Sequence, residues 1–306
     1  MSRVTGWILV GLLLVTGLAG CASARSAGPG HGAAPTSGVV DLATRSGDWP
    51  RTEALLQNAV NRLDERCLRA AGFAVPSAPA VRLPAPGDEE AAIGLAQRRT
   101  IGYGIATPVP ASAPPASETY ANTLSALDHN RYGTAQFGSA APRTSVTLIR
   151  SATVEVASGG CVGDARRALA GDLRTWARLT YIPDQLDTRL SAQAMTDPRY
   201  LRALADWRTC LRGRGFSYIS PEAAQAALRK AYPNSGGTAA FKRHEIAVAV
   251  ADGTCARTAH LPTVLLSVRR SLVSRLPSGE LSLLRSLNAE RRAALARATT
   301  DPGTKG

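Results

Sequence analysis

Lysine is almost missing from this chain. It stands only at Lys230, Lys242 and Lys305, so arginine carries nearly all of the formal charge of +13. Such arginine- and alanine-rich usage points to a GC-rich genome, which is a matter of codons and not of activity. Aromatics are 5 % of the residues, so the core must lean on Ala, Leu and Val. No apolar run reaches the roughly 20 residues that a membrane-spanning helix needs. The basic residues never form a run of five or six, and nucleic acid is not the partner this dispersed charge suggests. There is no G-x-S-x-G elbow, S-x-x-K, P-loop or H-E-x-x-H, and no C-x-x-C or C-x-x-H pair for zinc. The 23 carboxylates are scattered. These absences lower the weight of an enzymatic reading without removing it, because active sites assemble in space. No residue is assigned a catalytic, metal-binding or cofactor-binding role, and no cofactor is implied.

What the chain does have begins at its head. Arg3, a largely apolar run from Trp7 to Leu18 and the small residues before Cys21 have the build of a secretory signal. Leu18-Ala19-Gly20-Cys21 resembles the lipobox of bacterial lipoproteins. That resemblance implies removal of residues 1–20, lipidation of Cys21 and attachment to the extracytoplasmic face of the cell membrane. The alternative is an ordinary cleaved signal in which Cys21 is incidental. Residues 21–47 are small, polar and rich in Gly and Pro, and read as a flexible tether. An exported basic protein held at a membrane meets anionic lipid headgroups or wall polymers, each nearby basic residue contributing about 1 kcal/mol. An envelope protein is the other partner class considered.

Beyond the tether, apolar spacing predicts a mainly α fold. A helix is expected over Glu53 to Ala71, ended by Gly72, and another from Asp197-Pro198 through Leu211. Further helices are expected over Ser117–Leu127, Cys161–Leu179, Leu186–Met195, Pro221–Ala231 and Glu245–Ala259. Leu261 to Leu276 form one stripe, interrupted by Pro277, and helix resumes from Glu280 to about Ala298 as an arm or hairpin. On that last helix Arg285, Arg291, Arg292 and Arg297 are expected on the polar side. Minor β segments are expected at Thr100–Ile105 and Ser145–Val156.

Two heptapeptides agree in five positions: Cys67-Leu68-Arg69-Ala70-Ala71-Gly72-Phe73 and Cys210-Leu211-Arg212-Gly213-Arg214-Gly215-Phe216. A weaker match, V-x-V-A-x-G-x-C, ends at Cys161 and at Cys255. These repeats suggest two units, 48–183 and 184–299, followed by a disordered tail at 300–306. Leaving out the lipid site, four cysteines remain, an even number suited to an oxidising compartment. Of the three pairings possible, the repeat favours Cys67–Cys161 and Cys210–Cys255; the alternative is free buried thiols. Phe73 and Phe216 are expected to fold back on the core after a glycine cap. His31, His129, His244 and His260 are better read as solvated or capping residues than as ligands. Gly102-Tyr103-Gly104 reads as a tight turn with an anchoring tyrosine before it reads as a ligand loop.

The combination resembles a group of secreted lipoproteins from high-GC Gram-positive bacteria. The residues that carry the likeness are Cys21, Cys210 to Phe216, Gly159-Gly160-Cys161 with Ala165, and Leu261 to Ala298; Pro277 departs from the uninterrupted helix expected. The resemblance implies an address and an architecture, and no activity. The functional expectation is a non-catalytic binding or scaffold protein of the cell envelope. The other readings are an envelope hydrolase or transferase and a solute-binding lipoprotein of a transporter.

Overall fold

Helix signals in the sequence become twelve α-helices and one β-hairpin among the described residues, which are 34–81, 91–107, 116–235 and 237–300 of a computed structural model. Cys21, the apolar run Trp7–Leu18, His31 and residues 301–306 lie outside them, while Thr300 of the expected tail ends the last helix. The fold is mainly α, stapled by two disulfides, Cys67–Cys161 and Cys210–Cys255. No described helix is long and apolar enough to cross a membrane.

Folded structure begins earlier than the tether reading expected. Helix α1 spans Ser37–Thr44 and buries Val39, Leu42 and Ala43. Its polar end is fastened as well: Arg270 reaches Asp41 at 2.6 Å, and Arg269 reaches Asp187 at 2.6 Å and the Thr44 carbonyl at 3.3 Å. The sequence hides this because α1 is short and lies in a Gly/Pro-rich background.

Helix α2, Trp49–Ala70, carries Pro50 in its first turn and buries Leu56, Ala59 and Leu68. After it come α3 (Leu95–Ile101), α4 (Ala116–Ala121) and α5 (Ala126–Phe137). The strand expected at Thr100–Ile105 is therefore the end of α3 and a turn. The helix expected over Ser117–Leu127 is broken after Ala121, and α5 starts one residue after Ser125, whose hydroxyl accepts from the Asp128 amide. The segment Ser145–Val156 is two strands, β1 (Arg143–Thr147) and β2 (Thr153–Ala157), paired antiparallel with Val146 opposite Val154. At the tip, Arg150 (φ 53°) and Ser151 (φ 59°) are both left-handed, a geometry suited to Asn-Gly. Replacing them together by Asn and Gly is expected to raise stability by about 1 kcal/mol. The Arg150 ion pair to Glu280, 3.7 Å long and exposed on the arginine side, offsets little of that. A urea midpoint that stays put or falls would contradict this reading of the turn.

The helix expected over Cys161–Leu179 is two helices, α6 (Gly160–Ala170) and α7 (Leu173–Ala194). Gly171 takes φ 89°, and the Asp172 carboxylate then accepts from the Thr175 amide at 2.8 Å, restarting the helix. Helix α7 runs through Pro183. The proposed unit boundary at 183/184 thus falls inside one helix. Helices α8 (Pro198–Gly213), α9 (Pro221–Ser235), α10 (Ala239–Thr258), α11 (Leu261–Leu272) and α12 (Ser278–Thr300) complete the chain.

Both heptapeptides end their helices alike. The Phe73 amide bonds the Leu68 carbonyl at 3.1 Å and the Phe216 amide bonds the Leu211 carbonyl at 3.2 Å, with Gly72 and Gly215 at φ 93° and 82°. Phe73 then meets the Tyr132 ring edge-on at 5.2 Å, and Phe216 meets His244 at 6.0 Å. The weaker match does not survive folding: Val154–Ala157 lie in a strand and Val248–Ala251 in a helix. The two stretches are also interleaved. Helix α12, from the second, packs on α1, α2, α6 and α7, while α3, from the first, packs on α10.

Candidate functional site

Helix α10 places two carboxylates on its apolar face. Glu245, Val248, Asp252 and Cys255 follow one another at steps of three and four, and all are buried. Burying an ionised carboxylate is costly unless donors surround it. Here the donors come from α3 and the turn after it. Glu245 accepts the backbone amides of Tyr103 (2.9 Å), Ile105 (2.8 Å) and Ala106 (2.8 Å). Asp252 accepts from Arg98 Nη1 (2.5 Å), Tyr103 Oη (2.8 Å) and Trp207 Nε1 (2.9 Å). The Arg98 guanidinium also lies 5.1 Å from the Tyr103 ring centre. Burial and the Asp252 carboxylate push the Tyr103 phenol far above its ordinary value.

Close approach of the segment is written into two glycines. Gly102 takes φ 65°, and a Cβ there would stand 2.9 Å from Glu245 Cγ. Gly253 faces α3, where a Cβ would stand 2.8 Å from Leu95 Cδ2. Gly102-Tyr103-Gly104 is thus the anchoring turn, not a ligand loop. With every donor taken from the protein itself, Glu245 and Asp252 form a clamp that fixes residues 91–107 to the helix bearing Cys255.

A second polar centre surrounds Trp49. Arg291 of α12 is 5 % exposed, although its arginine-rich neighbourhood predicted a polar face. The buried residues Leu284, Leu287, Arg291, Ala294 and Ala298 follow at steps of three and four, so Arg291 sits in the apolar stripe. Its guanidinium lies 3.6 Å from the Trp49 ring centre, an attraction worth about 2 kcal/mol when desolvated. Nη2 donates to Thr52 Oγ1 at 2.9 Å and to Glu53 Oε2 at 3.1 Å. Burial lowers the Arg291 pKa, and Glu53 works against that shift. Two cavities flank Trp49. One, of about 330 Å³, has Thr36, Ser37, Gly38, Arg291 and Arg292 in its wall; the other, of about 590 Å³, has Thr44, Glu53, Val81 and Arg269.

The histidines do not converge. His129 Nδ1 lies 3.1 Å from the Ala121 carbonyl, His244 meets the Phe216 ring edge-on, and His260 is the left-handed residue before α11. No group of three or more His, Cys, Asp or Glu able to hold a metal occurs among the described residues. On α6, Arg167 bonds the Ser158 carbonyl at 2.8 Å and Arg166 reaches the Ala157 carbonyl at 3.5 Å.

Near the Cys67–Cys161 staple, Asp64 has one buried oxygen, Oδ1, without a partner. Burial pushes its carboxyl up from 3.8 to about 6, against the pull of Arg166. A carboxyl protonated more readily in the fold than in the unfolded chain stabilises the fold at low pH, and that contribution fades as pH rises towards its folded value. From pH 4 to pH 6, stability is therefore expected to fall through Asp64, and Asp64→Asn is expected to flatten that slope. Parallel melting curves of the two proteins at pH 4.5 and pH 7 measure it. An equal pH dependence in both would discard the assignment.

Compared with known proteins, the chain matches no family model, no curated sequence and no solved structure.

Proposed function

We propose that this chain is a membrane-anchored extracytoplasmic lipoprotein that acts as a non-catalytic binding or scaffold protein of the cell envelope. The observation that carries the reading is the use made of its buried charge. Glu245 and Asp252 are occupied by donors from the protein itself, so neither is free to take a proton from a substrate. Two open cavities lie elsewhere, beside Trp49. The two disulfides are compatible with an extracellular location. The build of residues 1–21 supports the lipid anchor, and dispersed arginine supports contact with anionic lipid headgroups or wall polymers.

The test is metabolic labelling with a radioactive fatty acid in a Gram-positive host. The wild-type chain is expected to carry label and to sediment with membranes. Cys21→Ala is expected to lose the label and leave the membrane fraction. Capture from detergent-solubilised envelope then tests the scaffold. An unlabelled wild-type protein found inside the cell would overturn the anchor, and turnover of a wall polymer or lipid would overturn the non-catalytic reading.

A further inference from the structure

We infer that the cavity beside Trp49 is a binding site for an oxyanion of the phosphate class. The inference rests on the binding-protein reading and gives it a ligand chemistry. The cavity holds about 330 Å³, enough for a phosphate group and the first atoms attached to it.

Three sets of donors meet there. The first is Arg291. Its Nε and Nη2 are spent on Thr52, Glu53 and the Trp49 carbonyl. Nη1 makes no hydrogen bond among the described residues, although the residue is only 5 % exposed. A buried guanidinium held by one edge and stacked on an indole has its remaining edge preorganised for an oxyanion. The second is Arg292, the next residue, exposed in the wall of the same cavity. The third is the first turn of α1. Thr36 precedes it and makes no side-chain cap bond, and Thr36, Ser37 and Gly38 are all in the cavity wall. Uncapped amides at a helix start are donors with a favourable dipole behind them.

The opposing charges are Asp41, Asp48 and Glu53. Asp41 is held by Arg270 at 2.6 Å, Glu53 by Arg291 at 3.1 Å, and Asp48 stands at the start of α2, where that helix dipole favours it. In the wall, Arg291, Arg292 and the first amides of α1 therefore face one open carboxylate, Asp48, and the Asn288 amide, which can also donate, and an acceptor-rich anion complements these donors. Leu42, Trp49 and Leu295 supply an apolar side, so the oxyanion can arrive either on a lipid headgroup or as free phosphate.

The test uses the full chain with Cys21→Ser, which carries no lipid of its own, titrated by calorimetry. The probes are dihexanoyl phosphatidylglycerol, inorganic phosphate and dihexanoylglycerol. The phosphatidylglycerol is expected to bind at least tenfold more tightly than dihexanoylglycerol. Phosphate binding tenfold weaker than the phospholipid assigns the site to a headgroup; equal binding assigns it to free phosphate. Arg291→Met is expected to weaken binding at least tenfold, but it also disturbs Trp49. Arg292→Ala and Ser37→Pro therefore decide the matter. Proline is accepted at a first helical position, and this change removes the Ser37 amide donor together with its hydroxyl. Each is expected to weaken binding about threefold with an unchanged melting curve. Undiminished binding in both, or equal binding of dihexanoylglycerol, would overturn the site. Because the chain used here is not acylated, failure of the lipid anchor would leave this result standing, and the reverse also holds.

Discussion

Replacing Asp252 by alanine is expected to lower the melting temperature by roughly 10 °C. The carboxylate is 1 % exposed and joins α10 to two parts of the chain far from it in sequence: Arg98 of α3 with Tyr103 of the following turn, and Trp207 of α8. Removing one partner of a buried pair leaves the other charge stranded, at a cost of about 3–5 kcal/mol. At about 2–4 °C for each kcal/mol in a chain of this size, that is the expected shift. Asp252→Asn sharpens the test. An amide keeps one acceptor for Trp207 Nε1 but turns a nitrogen towards Arg98, so about half of the loss is expected to remain. Glu245→Gln has a smaller version of the same fault, because one of its two amide-facing atoms becomes a donor opposite donors, at about 1–3 kcal/mol. The loss also has an address. Trypsin is expected to cut first at Arg98 or Arg99 in the Asp252→Ala protein, since the clamp is what holds residues 91–107 on α10. A variant that melts early but is cut elsewhere first would show that the clamp serves the whole core and not this segment.

The residues of that clamp show how far a sequence can be read here. The later part of α10 is legible in local spacing, but its start at Ala239, capped by Thr238, lies six residues before the expected Glu245. So are the two glycine-terminated helices, because C-L-R-x-x-G-F needs only its own carbonyls to close, and both copies do close the same way. Buried charge is different. Glu245 and Asp252 fall in an apolar stripe, as does Arg291 in α12. That misplacement is the signal in the sequence that they are paired, but it does not say with what. Arg98 stands 154 positions before Asp252, and Thr52 stands 239 before Arg291. No local rule links residues so far apart. The same blindness explains the strand expected at Thr100–Ile105: Ile101 and Ile105 alternate with small residues as a strand would, and only Glu245 folds their backbone into a turn. Helix α1 was hidden for a related reason. Its stability comes from Arg269 and Arg270, more than 200 residues away, while its own eight residues are too few to announce a helix.

Removing the Cys67–Cys161 bridge is expected to cost about 4.7 kcal/mol and removing Cys210–Cys255 about 4 kcal/mol, by the entropy of closing the loops in the unfolded chain. The loops span 94 and 45 positions and do not overlap, so the two effects are expected to add. Alanine is the substitution to use, because Cys161 and Cys255 are buried and serine would bury an unpaired hydroxyl. The double variant Cys67→Ala/Cys161→Ala tests more than loop length. Its bridge ties the end of α2 to the start of α6, and Asp64 and Tyr132 beside it each keep a buried oxygen without a partner. A site that already carries unsatisfied polar atoms has less packing to fall back on, so this variant is expected to be the less stable of the two in urea titration. Loss of both bridges removes a sum comparable with the whole net stability of an ordinary domain, about 5–15 kcal/mol. The chain is therefore expected to fold poorly wherever thiols are kept reduced, which suits an oxidising compartment. Equal urea midpoints with and without reductant, with all four thiols titrating in the reduced sample, would break that link between the staples and the compartment.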